Sequence, residues 1–284
     1  MDPAEILTRP APPPNAMIRY GPGPDHVADL RLPGPHGPRG AYAGSARPLI
    51  VLLHGGFWRV AFDRMHAGPM AAALAAEGYP VCVPEFRRVG EAGGGWPGTL
   101  DDVADAVDRL PALVAAVAPH YGASGRVLLA GHSAGGHLAL WAAGRHLHSR
   151  DVHTDSPSRI AGVVALAPVS DLVACYRQGL GGGAAADLLG GGPGQHPQRY
   201  AVADPARHIP LGVAVRIVHG TADDQVPCEM SRSYTARALA AGDDTLLTEL
   251  PGCGHFDVID PRTAAWPAVL AAFHALGGGA RGAE

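Results

Sequence analysis

Residues 126–141 read RVLLAGHSAGGHLALW, an apolar run, a glycine-rich turn and a second apolar stretch. The run at 126–130 predicts a buried strand, and the pattern at 134–143 predicts a helix. Between them, Gly131-His132-Ser133-Ala134-Gly135 matches G-x-S-x-G, in which a serine occupies a sharp turn from strand to helix. Glycine at 131 and 135 removes side chains that would clash in such a turn. Ser133 is therefore the candidate nucleophile.

A glycine motif carries little weight by itself in this chain, because 39 of its 284 residues are glycine and 27 more are proline. The surrounding pattern supplies the context. Apolar runs without alternation predict strands at 48–53, 80–84, 126–130, 160–166, 213–218 and 245–250. Helical patterns occupy 65–77, 99–117, 134–143, 231–241 and 263–276. Strands buried on both faces and interleaved with helices predict a mostly parallel central sheet in a three-layer α/β fold.

Two regions stand apart from this alternation. Residues 1–45 are rich in proline and glycine and predict an extended, loosely attached N-terminal arm, with an edge strand near 26–32. The rest, 46–284, is expected to be one catalytic domain. Within it, about 171–210 contains GLGGGAAADLLGGGPGQHP, which we interpret as a mobile cap or lid insertion.

Composition excludes several chemistries. The chain has no lysine, which rules out Schiff-base lysines and the lysine of phosphate-binding loops. A net charge of −4 and an isoelectric point near 6.4 argue against nucleic-acid binding. The sequence has no secretory signal, no span long enough for a bilayer and no CxxC pair. We expect a cytoplasmic protein with reduced cysteines, no cofactor, no metal and no membrane association.

A second glycine motif, Leu53-His54-Gly55-Gly56-Phe57-Trp58, follows the first core strand. Acyl transfer needs backbone N–H donors directed at the developing oxyanion, and glycine lets the backbone approach it closely. The candidate donors are the N–H groups of Ala134 and of Gly56 or Phe57. We interpret His54 as a residue that shapes this loop.

Two further loops carry a carboxylate and an imidazole. His219-Gly-Thr-Ala-Asp-Asp-Gln-Val-Pro227 offers Asp223 and Asp224, of which the D-x-x-V-P spacing favours Asp223. Pro251-Gly-Cys-Gly-His255 supplies the candidate general base. All four loops follow predicted strands, so one parallel sheet brings them to the same edge. Ser133, Asp223 and His255 occur in the order Ser…Asp…His.

Together, LLHGGFW, GHSAGGHLALW, HGTADDQVP and GCGHFDVID resemble the α/β-hydrolase superfamily, over about 48–276. More narrowly they are similar to its esterase/lipase and kynurenine formamidase (arylformamidase) branch. The resemblance implies a serine hydrolase that cleaves a small ester, aryl amide or formamide through an acyl-enzyme. N-formylkynurenine is the sharpest single candidate substrate. Trp58 and Phe256 are candidates to stack on an aromatic leaving group, or else to be core aromatics, and His132 is expected in the pocket wall.

Other functions remain open at this stage. An exopeptidase-like hydrolase needs an acid that binds the substrate ammonium, for which Glu85 and Glu91 are the early candidates. The same triad serves acyl transfer, cyclisation or elimination in a biosynthetic pathway, and a hydrolase-fold scaffold without turnover is a further alternative. The expected partner is a small-molecule ester or amide, and a homodimer is the one assembly considered.

Several residues have a plainer interpretation. We expect His146, His148 and His153 to be surface histidines, because their spacings of two and five do not converge on a metal. Arg87 and Arg88 are expected to be solvated or to pair with a nearby acid, rather than to bind a substrate carboxylate. A disulfide between Cys228 and Cys253 is not expected.

Overall fold

A computed structural model of the protein describes residues 3–34, 47–122, 125–145 and 159–278. Its strands there are β1 (Ala16–Arg19), β2 (Val27–Arg31), β3 (Leu49–Leu53), β4 (Val81–Pro84), β5 (Arg126–His132), β6 (Arg159–Leu166), β7 (Val215–Gly220) and β8 (Thr245–Leu250). They form one sheet in the order β1-β2-β4-β3-β5-β6-β7-β8. The strands from β4 to β8 in this order are parallel, whereas β1 and β2 pair antiparallel.

Helices cover both faces of the sheet. They are α1 (Gly68–Ala76), α2 (Gly98–Val117), α3 (Pro119–Gly122), α4 (Ala134–Gly144), α5 (Leu172–Arg177), α6 (Leu180–Leu189), α7 (Pro197–Ala203), α8 (Cys228–Ala240) and α9 (Trp266–Gly277). No helix among the described residues combines the length and apolar character needed to cross a bilayer.

Strand β3 explains why the sequence of a central strand is continuously apolar. Successive side chains point to opposite faces. Leu49, Val51 and Leu53 join a core cluster with α2, α4 and α8. Ile50 and Leu52 join a second cluster with α1 and α9. The predicted three-layer α/β fold with a mostly parallel sheet is therefore confirmed.

The N-terminal region differs from the prediction. The strand expected near 26–32 is β2, but it lies between β1 and β4, so the edge strand is β1 instead. The loosely attached arm is also wrong for its described part. Ile6, in a 3-10 helix at Pro3–Leu7, is fully buried with α1 and α9. Arg9 Nη1 lies 2.6 Å from Asp260 Oδ1 and ties the segment to the loop that follows His255.

The insertion at 171–210, which we interpret from the sequence as a mobile cap or lid, forms helices α5, α6 and α7. Their buried side chains belong to the same core cluster as those of β3, α2 and α4. The glycine run before Ala184 has a conformational role, since Gly179, Gly181, Gly182 and Gly183 have φ between 58° and 91°. Residues with a side chain rarely adopt this left-handed backbone conformation, which is readily accessible to glycine. The run therefore makes the tight bend between α5 and the regular part of α6.

Asp204 links the two ends of this helical insertion. Its carboxylate is buried, and Oδ1 accepts hydrogen bonds from Leu172 N at 3.1 Å and Ala206 N at 3.2 Å. Burial raises the pKa of Asp204 from 3.8 to about 6. Between these values the folded chain holds a proton that the unfolded chain releases, so this group's contribution to stability falls as pH rises from about 4 to 6.

We expect Asp204→Asn to remove this loss while keeping an acceptor oxygen. Relative to the parent, the free energy of unfolding of the variant should rise between pH 4.5 and 7, by roughly 2 kcal/mol. Urea unfolding at both pH values measures it. Asp224→Asn, at an exposed carboxylate, is the control and should leave the pH slope unchanged. A stability difference between variant and parent that is the same at both pH values would contradict this account.

Candidate active site

Ser133 lies at a strained turn between β5 and α4. Its backbone has φ 57° and ψ −119°, a conformation that residues other than glycine seldom adopt. A Cβ on Gly131 would lie 2.1 Å from the carbonyl oxygen of Gly135, and a Cβ on Gly135 would lie 2.0 Å from that of Leu53. Only glycine fits at both positions. The turn presents Ser133 at the N-terminus of α4, whose dipole favours developing negative charge.

Asp223 and His255 meet at the ends of β7 and β8. His255 Nδ1 lies 2.7 Å from Asp223 Oδ2, and both side chains are almost completely buried. Burial by itself raises the pKa of Asp223, but hydrogen bonds with His219 and His255 outweigh it and hold that pKa below its ordinary value. Asp224 is exposed and accepts from Gln225 Nε2 at 3.1 Å. Of the two candidate acids, Asp223 is the one in contact with His255.

Ser133 and His255 line one cavity of about 70 Å³. Its lining consists of Leu7, Gly56, Phe57, Phe62, His66, His132, Ser133, Gln225, His255 and Phe256. The Ser133 hydroxyl makes no hydrogen bond with any described residue, His255 included. Contacts between nucleophile and base are commonly looser in unliganded hydrolases than in their complexes. The arrangement leaves the serine hydroxyl open to the cavity, with the His255 imidazole in the wall and the Asp223 carboxylate buried behind it.

The loop after β3 turns sharply beside the serine. Gly56, Phe57 and Trp58 all have positive φ, of 109°, 50° and 58°. Within the described ranges, the N–H groups of Gly56 and Phe57 have no hydrogen-bond acceptor. Ala134 is the first residue of α4, so its N–H precedes the first bond of the helical ladder. These N–H groups are therefore available to an oxygen bound beside Ser133.

His54, at the start of this loop, is held away from the cavity. Its Nε2 lies 2.8 Å from Glu85 Oε1, its Nδ1 lies 2.9 Å from the Gly55 carbonyl oxygen, and its ring stacks on Phe86. These contacts suit a residue that shapes the loop.

The three candidate substrate-binding residues lie in different places. Phe256 and His132 line the cavity. Burial and the nearby His255 lower the pKa of His132 well below its ordinary value, and its Nε2 lies 2.9 Å from the His255 carbonyl oxygen. Trp58 does not line the cavity: it is a core residue, 1% exposed, and donates from Nε1 to His137 Nδ1 at 3.2 Å. The expectation that Trp58 stacks on a leaving group is therefore wrong in this structure.

Four lining residues were absent from the sequence interpretation: Leu7, Phe62, His66 and Gln225. Leu7 comes from the segment taken for a loose arm, and no motif marks it. Phe62 and His66 lie just beyond the 54–58 motif, which could have directed attention to them. Burial lowers the pKa of His66 to about 4, so its ring is neutral at neutral pH.

Charged residues near the site are paired with each other. Arg87 binds Asp102 through two nitrogens, at 2.9 and 2.6 Å. Arg88 contacts Glu91 Oε1 at 2.7 Å and Glu85 Oε1 at 3.0 Å. The expected ion pairs of Arg87 and Arg88 are thus present. Glu85 and Glu91, the candidates for binding a substrate ammonium, are already engaged and do not line the cavity.

The remaining candidates give no site of their own. Cys228 and Cys253 are free thiols, so no disulfide joins their loops. His146, His148 and His153 lie outside the described residues. In the part of the chain that is described, no group of three His, Cys, Asp or Glu side chains is arranged to hold a metal ion.

Solved structures of low sequence identity share this fold. A truncated carbohydrate esterase from gut microbiota matches with a TM-score of 0.73 and 22% identity, over 94% of this chain and 99% of the other. A thermophilic esterase, Est2 of the planctomycete Thermogutta terrifontis, matches with a TM-score of 0.71 and 21% identity, over 98% and 99%. The same esterase phosphonylated by sarin gives 0.67 and 20%, over 92% and 91%. These likenesses establish the α/β-hydrolase fold.

The family model named BD-FAE matches residues 40–237, more than two thirds of the chain. The matched range contains Ser133, Asp223 and the loop at 54–58, and it ends before His255. The kynurenine formamidase branch to which the motifs are similar is not the family that matches. With the fold and the site geometry in agreement, the chain belongs to the BD-FAE family.

Proposed function

We propose that the protein is a serine esterase that hydrolyses small carboxylic esters through Ser133, His255 and Asp223. The observation that carries this proposal is the 2.7 Å contact between Asp223 and His255, the imidazole that lines the same cavity as Ser133. Membership of the BD-FAE family supports it, as do neighbours named as esterases, one of them phosphonylated by sarin.

In the first half of the reaction, Ser133 Oγ attacks the ester carbonyl carbon while His255 Nε2 takes the hydroxyl proton. The carbonyl oxygen becomes an oxyanion that accepts hydrogen bonds from the N–H groups of Ala134 and of Gly56 or Phe57. Collapse of this intermediate breaks the bond to the alcohol, which leaves with the proton that His255 returns. The acyl group remains on Ser133.

In the second half, water replaces the alcohol and the same groups act in reverse order. His255 removes a proton from water, the hydroxide attacks the acyl carbon, and Ser133 recovers its proton as the carboxylic acid departs. Asp223 holds the imidazole by Nδ1 and stabilises the imidazolium that forms in each half. Its lowered pKa keeps this carboxylate ionised at neutral pH.

The cavity favours a small, uncharged substrate. At 10–15 Å³ for each water-sized group, a volume of about 70 Å³ holds roughly five such groups, enough for a short acyl chain. Its lining has three phenylalanines and no arginine, aspartate or glutamate. An α-amino acid such as N-formylkynurenine finds no charged partner in this lining. We therefore place neutral esters ahead of the aryl formamide, and ahead of the exopeptidase alternative.

We expect a fluorophosphonate probe to label the native protein once and to leave Ser133→Ala unlabelled. The probe reacts only with a hydroxyl activated by a neighbouring base. Intact-mass spectrometry measures the adduct. Ser233→Ala, at an exposed serine of α8, is the matched control and should label like the parent. Labelling that survives Ser133→Ala would exclude Ser133 as the nucleophile.

Asp223→Asn should lower kcat by roughly three to four orders of magnitude, because the amide no longer holds the imidazole in its active tautomer. Asp224→Asn, which removes an exposed carboxylate one residue away, should remain within about twofold of the parent. Steady-state hydrolysis of p-nitrophenyl acetate measures both. If the two variants lose activity equally, Asp223 is not the acid of this site.

Leu7 should limit the length of the substrate, because it narrows a small cavity. In a panel of p-nitrophenyl esters from acetate to octanoate, beside N-formylkynurenine, the parent should prefer the shortest esters. Leu7→Ala should raise kcat/KM for butyrate and hexanoate relative to acetate, by about five- to tenfold. Leu239→Ala, at an exposed leucine of α8, is the control. If Leu7→Ala leaves the preference for ester chain length unchanged, Leu7 lies outside the binding site. If the parent cleaves N-formylkynurenine faster than the esters, the aryl formamide is the better substrate class.

A further inference from the structure

A second histidine contacts the candidate catalytic carboxylate. His219, near the end of β7, has Nε2 3.1 Å from Asp223 Oδ2, the same oxygen that His255 Nδ1 contacts at 2.7 Å. Both the His219 and the Asp223 side chains are completely buried. From the sequence alone, His219 is a structural residue that precedes the acid loop.

The contacts of His219 determine where its proton lies. Nε2 is also 2.9 Å from the Val226 carbonyl oxygen. A carbonyl and a carboxylate oxygen only accept hydrogen bonds, so Nε2 carries a hydrogen that it donates between them. Nδ1 lies 2.7 Å from Ser231 Oγ, whose hydroxyl can either donate or accept. The orientation of His219 is therefore set at both ends of the ring.

Asp223 receives donors at every side of its carboxylate. Oδ1 accepts from the backbone N–H of Gln225 at 2.9 Å and of Val226 at 2.8 Å, and Oδ2 takes the two imidazoles. A completely buried carboxylate needs such donors to remain ionised. Of the four, the two backbone donors belong to the acid loop itself. His219 alone joins the carboxylate to α8, through Ser231, within the described part of the chain.

We propose that His219 is a positioning residue, which holds the Asp223 carboxylate ionised and aligned with His255 during the reaction. This inference rests on the triad of the proposed function. His219 does not touch the substrate, since it lies outside the cavity lining. It acts through Asp223, whose alignment decides how well His255 is held when it accepts the serine proton.

Other ionisable groups around the pair are accounted for. Glu249 lies opposite His219 on β8, but it is paired with Arg232. Burial raises the pKa of Cys228, which keeps that thiol neutral. His132 packs against His255 with ring centroids 4.4 Å apart, and its own lowered pKa keeps it uncharged. Asp224 is exposed, and Asp257 Oδ2 accepts from Gly254 N in the base loop.

Loss of the His219 donor should shift the pH dependence of the reaction in one direction. Without it, the charge of the Asp223 carboxylate is balanced by one donor fewer, so the carboxylate attracts a positive charge on the neighbouring imidazole more strongly. The protonated, inactive form of the site then persists to higher pH. The acid limb of the kcat/KM profile should therefore move to higher pH.

The test compares His219→Gln with His219→Asn, using hydrolysis of p-nitrophenyl acetate from pH 5 to 9. Glutamine brings an amide N–H to about the position of Nε2, whereas the shorter asparagine reaches only the position of Nδ1 beside Ser231. We expect His219→Asn to lower kcat about ten- to hundredfold with little change in KM, and to move the acid limb up by about half a pH unit or more. His219→Gln should stay within about fivefold of the parent. Thermal unfolding of each variant checks that it is folded.

The outcomes separate this inference from the function on which it rests. One outcome retains the proposed esterase function but overturns the role of His219. In it, Ser133→Ala is inactive, while the two His219 variants have equal activity and an unchanged acid limb. Equal loss in both variants without a pH shift would also overturn it, since His219 would then serve only the packing. Activity that persists in Ser133→Ala would instead overturn the proposed function.

Discussion

The close approach of two backbones organises this protein. Gly135, one turn after β5, passes so near β3 that a Cβ would lie 2.0 Å from the Leu53 carbonyl oxygen. Through this contact the start of α4 packs directly against the loop that follows β3. As a result Ser133, Gly56 and Phe57 line one small cavity. The candidate nucleophile and the candidate oxyanion donors are thus positioned by backbone geometry, which does not change when side chains change rotamer.

The buried charge next to the candidate site lies on a single carboxylate. Asp223 is the carboxylate beside the imidazole pair, and four donors surround it. The other histidines of the cavity, His66 and His132, are kept neutral by burial. His255 therefore lies between a cavity whose other histidines are neutral and a buried anion, which is the arrangement that the proposed proton transfer needs. The neighbouring arginines and glutamates neutralise each other outside it, which preserves this separation.

Local patterns predicted the central strands and the helices between them, because a strand buried on both faces needs a continuous apolar run. These local patterns did not predict the position of a segment that is held by a single buried residue. Ile6 has no periodic partners, so its burial could not be read from a proline-rich stretch. Trp58 follows two residues of positive φ, and only the course of that turn directs its ring into the core. The composition of the insertion at 171–210 gave no sign that the glycines before Ala184 make a bend between two helices.

By itself the sequence determined the strand–turn–helix at Ser133, the order of serine, acid and base, and the edge of the sheet where they gather. These follow from residue types and spacing within short windows, since parallel strands must end on one side. The D-x-x-V-P spacing already favoured Asp223 over Asp224, but only the tertiary structure decided that Leu7 and His66 enter the cavity and that His219 shares the carboxylate. Each of these depends on contacts between segments distant in the chain or on the side to which a loop turns, and spacing along the chain does not encode either.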